Sequence, residues 1–290
     1  MPPAETEITI DLVRSLLTDQ RPDLADLEIS PFASGWDNLS FRLGDDFLVR
    51  LPRRAMAAEL VVNEAHWLPE LADRLPLPVP TPVFLGQPGR GYPWHWSIVP
   101  WMPGRPATET GELDLDACAS DLGGFLRALH HPAPPEAPGN PYRGVPLAER
   151  HHAVVERIDR LGELIDSEQV RDRWERACAV AVHEGPPLWI HGDLHPGNLL
   201  ISDGRISGVI DFGDITSGDP STDLAVAWMI FPAGVRSVFV ESYGGVDEAS
   251  WERAAGWALS LATGYLSGSA DNPAMGEIGM STIDRVLRDG

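Results

Sequence analysis

The chain has 290 residues, 43% of them hydrophobic, which excludes a disordered polymer and leaves length for a sizeable core, more naturally in two lobes than in one. Its formal net charge is −21 and all 22 basic residues are arginines, since no lysine occurs, so it lacks the basic footprint that a nucleic-acid partner requires. Cys118 and Cys178 form no disulfide framework, residues 1–10 carry no leader-like pattern, and the apolar run 224–235 is interrupted by Pro232, so a cytoplasmic chain with no membrane partner is expected.

Residues 8–17 have apolar side chains at helical spacing. Residues 27–32, 39–43 and 47–51 read as three strands, joined by the turns 34–38 and 44–46. Alternation along the third sets Arg50 off the apolar face of Phe47, Val49 and Leu51. A helix is expected over 55–75, ended by the proline-rich segment 76–82, with further strands at 83–86 and 94–99. Residues 113–129 are helical, 132–146 form a loop with six prolines, and 147–182 hold one or two amphipathic helices. A helix opens at Asp219-Pro220, and the tail beyond it spaces Trp228, Phe231, Phe239, Tyr243, Trp251, Trp257 and Tyr265 as core residues.

Between these helices lies residues 189–223, where chemistry-bearing residues concentrate. Two glycines and a proline in 191–197 break the strand that ends at Ile190. Asp203-Gly204 between two apolar runs signals a type I′ hairpin turn. A regular ladder from that turn pairs Asn198 with Val209 and puts Asn198, Val209 and Asp211 on one face. Asn198 and Asp211 are then diagonal neighbours roughly 5–8 Å apart, close enough for two oxygens to share a hard cation. His191-x-Asp193-x-His195 also has the look of a metal-hydrolase ligand set, although no second ligand cluster accompanies it.

The spacing His-x-Asp-x-x-x-x-Asn is that of a kinase catalytic loop, and Asp211-Phe212-Gly213 follows it. Through HGDLHPGN (191–198), IDFGD (210–214) and GDPSTDLA (218–225), the chain resembles the aminoglycoside phosphotransferase family of small-molecule kinases. The resemblance implies an α+β, bilobal protein-kinase-like fold. Its N-lobe, residues 1–102, would be an antiparallel sheet plus a helix that binds the nucleotide. Its mainly helical C-lobe, residues 103–290, would carry the catalytic loop and bind the acceptor.

It further implies Asp193 and His191 as catalytic residues, Asn198 and Asp211 as ligands of Mg2+, and Asp223 as the brace of the catalytic loop. ATP or GTP would be the co-substrate. Ser34, Gly35 and Asn38 would cover its phosphates, although the loop has a single glycine. Arg50 stands where the family pattern has a lysine, with Glu64 as its helix partner and Glu59 as a competitor; Arg53 and Arg54 are rival cations. The Pro100 carbonyl and the Met102 N–H would hold the purine.

The acceptor implied is a small-molecule hydroxyl, with an aminoglycoside favoured by the acidity and a macrolide by the aromatic tail. A sugar or amino-alcohol kinase and a nucleotide-binding pseudokinase are the alternatives. Glu241, Asp247, Glu248 and Glu277 are candidates for an acidic rim around a cationic acceptor.

Overall fold

The computed structural model describes residues 3–111, 113–268, 270 and 272–289. The chain forms two compact units: one takes the residues up to Asp73, Pro78–Pro103 and Asp211–Gly213, the other Arg74–Leu77, Gly104–Ile210 and the residues from Asp214 on. Two short segments, Arg74–Leu77 and Asp211–Gly213, thus belong to a different unit from their sequence neighbours.

In the first unit, helix α1 (Ile10–Gln20) is capped by the Thr9 hydroxyl, which accepts the Leu12 N–H. It packs Val13, Leu16 and Leu17 against an antiparallel sheet of β1 (Ile29–Ser34), β2 (Asn38–Leu43), β3 (Phe47–Pro52), β4 (Phe84–Gly86) and β5 (Trp96–Pro100), ordered β1-β2-β3-β5-β4. Phe41, Leu43, Val49, Leu51, Trp96 and Ile98 complete that core. Helix α2 (Ala55–Ala72) ends three residues before the expected stop. It carries Pro69 near its end, where only one more turn follows the missing N–H. Glu64 is on its buried side, together with Val61 and Leu68.

The second unit is mainly helical. A small sheet of β6 (Arg105–Pro106), β8 (Leu199–Ser202) and β9 (Arg205–Val209) and a two-stranded ladder of β7 (Leu188–Ile190) with β10 (Thr216–Gly218) carry the loops of interest. Around them stand α3 (Leu115–Leu129), α4 (Leu147–Leu161), α5 (Ser167–Cys178), α6 (Ser221–Leu224), α7 (Val226–Ile230), α8 (Ala233–Tyr243), α9 (Glu248–Gly268) and α10 (Pro273–Arg288). The tail aromatics Trp228, Phe231, Phe239 and Trp257 are buried core. No helix among the described residues is long and apolar enough to cross a membrane.

The hairpin register differs from the regular ladder. Asp203 and Gly204 have φ of 51° and 77°, as a type I′ turn demands. Beyond it, Ile201 pairs with Ile206 but Leu200 pairs with Gly208, so Ser207 is an extra residue on β9. The small Ser207-Gly208 pair lets the strand bulge there. Leu199, not Asn198, faces Val209, and Asn198 ends the 3₁₀ turn Pro196–Asn198 just before the strand. The Ile210 N–H donates to the Asn198 carbonyl at 2.9 Å, so the carbonyl of Asn198 is tied to the residue preceding Asp211.

Candidate active site

In the first unit, Arg50 on β3 is 7% exposed and Glu64 on α2 is fully enclosed. Arg50 Nη1 donates to both Glu64 carboxylate oxygens, at 2.8 and 2.7 Å, and its Nη2 donates to Asp211 Oδ1 at 3.0 Å. Such a two-pronged contact is what a guanidinium offers and an ammonium does not. Burial opposes the charge on Arg50, but the two carboxylates outweigh it and raise its pKa. Burial also pushes the Glu64 carboxyl up, against the pull of Arg50. The rival cations are engaged elsewhere: Arg53 Nη1 donates to the Gly35 carbonyl at 2.8 Å and Arg54 Nη2 to Asp37 Oδ1 at 2.5 Å.

Those two arginines brace the β1–β2 turn. The Gly35 N–H already donates to the Asn38 carbonyl at 2.9 Å, so this amide is not a free phosphate donor. Ser34 is exposed, whereas the Asn38 side-chain oxygen is buried without a partner. On β5, Pro100 lies opposite Phe47, and the Trp101 N–H donates to the Asp46 carbonyl at 2.7 Å. Antiparallel alternation then turns the Pro100 carbonyl away from β3. Among the described residues, Met102 N–H has no protein acceptor.

In the second unit, the catalytic-loop candidate 191–198 is held from beneath. The Asp223 carboxylate accepts the N–H groups of His191 at 2.7 Å and Gly192 at 2.9 Å, and His130 Nε2 lies 3.2 Å from it. Gly192 has φ of 85°, and a Cβ there would stand 2.5 Å from the Asp214 carbonyl, so only glycine fits. His191, expected as a catalytic residue, is fully buried. Its Nδ1 accepts the Asp193 N–H at 3.3 Å and its Nε2 donates to the Ile210 carbonyl at 3.0 Å. With both nitrogens engaged it positions the loop, and it cannot ligate a metal alongside His195. Among the described residues no group of three or more His, Cys, Asp or Glu side chains is arranged to hold an ion.

Asp193 keeps 27% of its side chain exposed. Asn198 Nδ2 donates to its carbonyl at 2.8 Å, which leaves the Asn198 amide oxygen for other use. Three neighbours of the Asp193 carboxylate were not foreseen. Arg143 Nη2 donates to Oδ1 at 3.1 Å, the Tyr265 hydroxyl lies 3.4 Å from the same oxygen, and His195 Nε2 is 3.8 Å from Oδ2. Burial pushes Asp193 up, but Arg143, His195 and His191 outweigh it and hold the carboxyl below its usual range. Burial and the nearby Asp193 push the Tyr265 phenol well up. Arg143 sits in a proline-rich loop without periodicity, so no sequence signal pointed to it. Of the proposed acidic rim, Asp247 instead caps Ser250, accepting its N–H at 2.9 Å and its hydroxyl at 2.6 Å.

Asp211 has φ of 65°, an uncommon conformation that aspartate tolerates better than most residues. Its side chain is 53% exposed, and its second oxygen accepts no hydrogen bond among the described residues. A carboxylate oxygen and an amide oxygen are hard donors of the kind magnesium takes alongside phosphate and water. Asp211 and Asn198 each carry a donor of that kind.

This is the architecture of a small-molecule kinase, and comparison with known proteins agrees. The model of the phosphotransferase enzyme family matches residues 28–257, and the chain belongs to that family. It is 28% identical over 218 residues to an aminoglycoside 3′-phosphotransferase of Escherichia coli, covering 70% of this chain and 76% of the relative. It is 30% identical over 247 residues to a homoserine kinase of Phenylobacterium zucineum, covering 77% and 69%. Among solved structures, the GDP complex of aminoglycoside 2′-phosphotransferase-IIIa superposes with a TM-score of 0.71 at 20% identity, over 96% of this chain and 98% of that one. A macrolide 2′-phosphotransferase from Brachybacterium faecium gives 0.65 at 22%, over 95% and 98%. At these identities the structural neighbours speak for the fold.

Proposed function

We propose that this enzyme transfers the γ-phosphoryl group of ATP or GTP to a hydroxyl of a small molecule, with Mg2+ as the required cation, in the cytoplasm. The observation that carries this reading is the Glu64–Arg50–Asp211 chain of contacts, a buried cation held bidentately by one carboxylate and touching a second, exposed one.

In this reading Arg50 binds nucleotide phosphate oxygens, and Glu64 fixes the guanidinium so that no rotamer freedom is lost on binding. Pro100 C=O and Met102 N–H take the purine edge. Asp211 and Asn198 hold magnesium, which when bound neutralises charge on the phosphate oxygens. Asp193 accepts the hydrogen bond of the acceptor hydroxyl and aims its oxygen at phosphorus. A carboxylate held below its usual pKa is a weak base, so the proton moves to Asp193 only as the new O–P bond forms. Positioning and charge neutralisation do most of the work.

The aminoglycoside phosphotransferase among the relatives supports an antibiotic acceptor, and the homoserine kinase supports a small metabolite alcohol. Asp211→Ala tests the cation assignment. Turnover should be abolished across a magnesium titration while the far-UV circular dichroism stays that of the native protein. Near-native turnover at low millimolar magnesium would overturn the assignment.

A further inference from the structure

The charge around Asp193 runs against that of the whole chain. At a formal net charge of −21, the neighbour of the Asp193 carboxylate is nonetheless a guanidinium, Arg143, at 3.1 Å. Two more follow behind it. Arg143 Nη1 donates to the Tyr142 carbonyl at 3.4 Å, and the guanidinium of Arg150 lies 5.1 Å from the centre of the Tyr142 ring. Arg150 and Arg157 are seven residues apart on α4, hence on one face of the helix. Arg157 Nη1 reaches the Ser260 carbonyl at 3.2 Å, on α9, the helix that also carries Tyr265.

Asp193 and Asp214 both act on Arg143, whereas the carboxylates acting on Arg150 and Arg157 are those of their chain neighbours Glu149 and Glu156. Asp193 pairs with Arg143 and lies 3.8 Å from His195 Nε2, Asp214 accepts the Asn140 amide at 2.7 Å and adds its charge beside Arg143, and Glu156 pairs with Arg160. Glu149, beside Arg150 in sequence, forms no ion pair with it. Among the described residues neither Arg150 nor Arg157 has a carboxylate partner, and the Nε groups of Arg143 and Arg150 are buried without an acceptor. Burial, and then the charge of Arg143, lowers the pKa of Arg150; burial, then Arg150 and Arg143, lowers that of Arg157. Arginines remain charged at neutral pH even so, and a buried guanidinium N–H without a protein acceptor is open to water or to an anion.

We propose that Arg143, Arg150 and Arg157 bind an anionic group, a carboxylate or a phosphate ester, carried by the acceptor near the hydroxyl that Asp193 orients. The inference rests on the kinase reading of Asp193 given above and narrows it. A polycationic acceptor meets repulsion from this row, and Asp193 already holds a guanidinium. An anionic acceptor is drawn in and leaves Asp193 to the hydroxyl.

Four hydroxyl-rich compounds of different charge test this: glucose, gluconate, glucose 6-phosphate and kanamycin, assayed for phosphoryl transfer from ATP and GTP with magnesium. Either anion should exceed both glucose and kanamycin at least tenfold in kcat/KM. Gluconate against glucose 6-phosphate tells a carboxylate from a phosphate ester. Arg150→Gln should raise KM for the preferred anion about tenfold, with a smaller effect on glucose. Preference for kanamycin or glucose, or an anion preference unchanged by Arg150→Gln, would overturn the proposal while leaving the kinase reading in place. Calorimetric titration of the two anions into the enzyme with bound ADP separates the two claims. Saturable anion binding that Arg150→Gln weakens, without any phosphoryl transfer, would support the arginine site and count against the kinase reading. No anion binding together with no charge preference would overturn the arginine site.

Discussion

Arg50 and Asp193 are each controlled by their neighbours, and each can be tested by removing one neighbour. Arg50→Ala strands the enclosed Glu64 carboxylate beside Asp211. Breaking such a buried pair costs about 3–5 kcal/mol. Denaturant unfolding should show a loss of that size, and Arg50→Met with Glu64→Leu should recover much of it. A single mutant less than about 1 kcal/mol less stable than the parent would contradict the pairing. For Asp193 the prediction concerns pH. Its folded pKa is depressed, so its contribution to stability is complete above about pH 4 and is lost as pH falls through the folded value. Arg143→Gln removes the largest influence holding it down and leaves burial opposed only by His195 and His191. The acid limbs of both turnover and stability should move to higher pH in that variant. Unmoved limbs would show that Arg143 does not set the state of Asp193.

The loop 191–198 depends on Asp223 and Gly192 as a unit. Asp223→Ala leaves the His191 and Gly192 N–H groups buried without acceptors, at about 1–3 kcal/mol each. Thermal unfolding should register that loss, and turnover should fall with it. Asp223→Asn keeps one acceptor oxygen and should fall between the two; equal behaviour of Asn and the parent would mean the carboxylate is not the brace. The ingredients of this element were legible in sequence, because His191, Asp193, Asn198 and Asp211 lie close along the chain and the Asp203-Gly204 turn has a steric signature. Its register was not, since the bulge at Ser207 comes from how small residues yield within a packed sheet, and periodicity carries no sign of it. Arg143, Arg150 and Tyr265 were missed for a related reason. They reach Asp193 and its surroundings from a proline-rich loop and two helices distant in sequence, and only the packing of α4 and α9 brings them together.

At the scale of the whole molecule, the absence of lysine leaves arginine as the one side chain with a permanent positive charge. Amine acetylation should leave turnover unchanged, whereas an arginine-selective dicarbonyl should inactivate the enzyme and Mg-nucleotide should protect it. Inactivation by the amine reagent would mean that the N-terminal amine contributes, against the assignment to Arg50. The strand pattern and the helix periods followed from alternation and spacing, while the chemistry of the acceptor did not, because net charge averages over the whole surface and carries no sign of the guanidinium beside Asp193. The central claim is that Asp193 orients an acceptor hydroxyl for phosphoryl transfer. The direct measurement is transfer of labelled γ-phosphoryl to acceptor by the parent and by Asp193→Asn, with nucleotide affinity measured in parallel. The account predicts acceptor-dependent product in the parent, a rate roughly 10²–10⁴-fold lower in the variant, and nucleotide affinity nearly unchanged. A variant that transfers phosphate at the parental rate, or one that loses nucleotide binding instead, would contradict it.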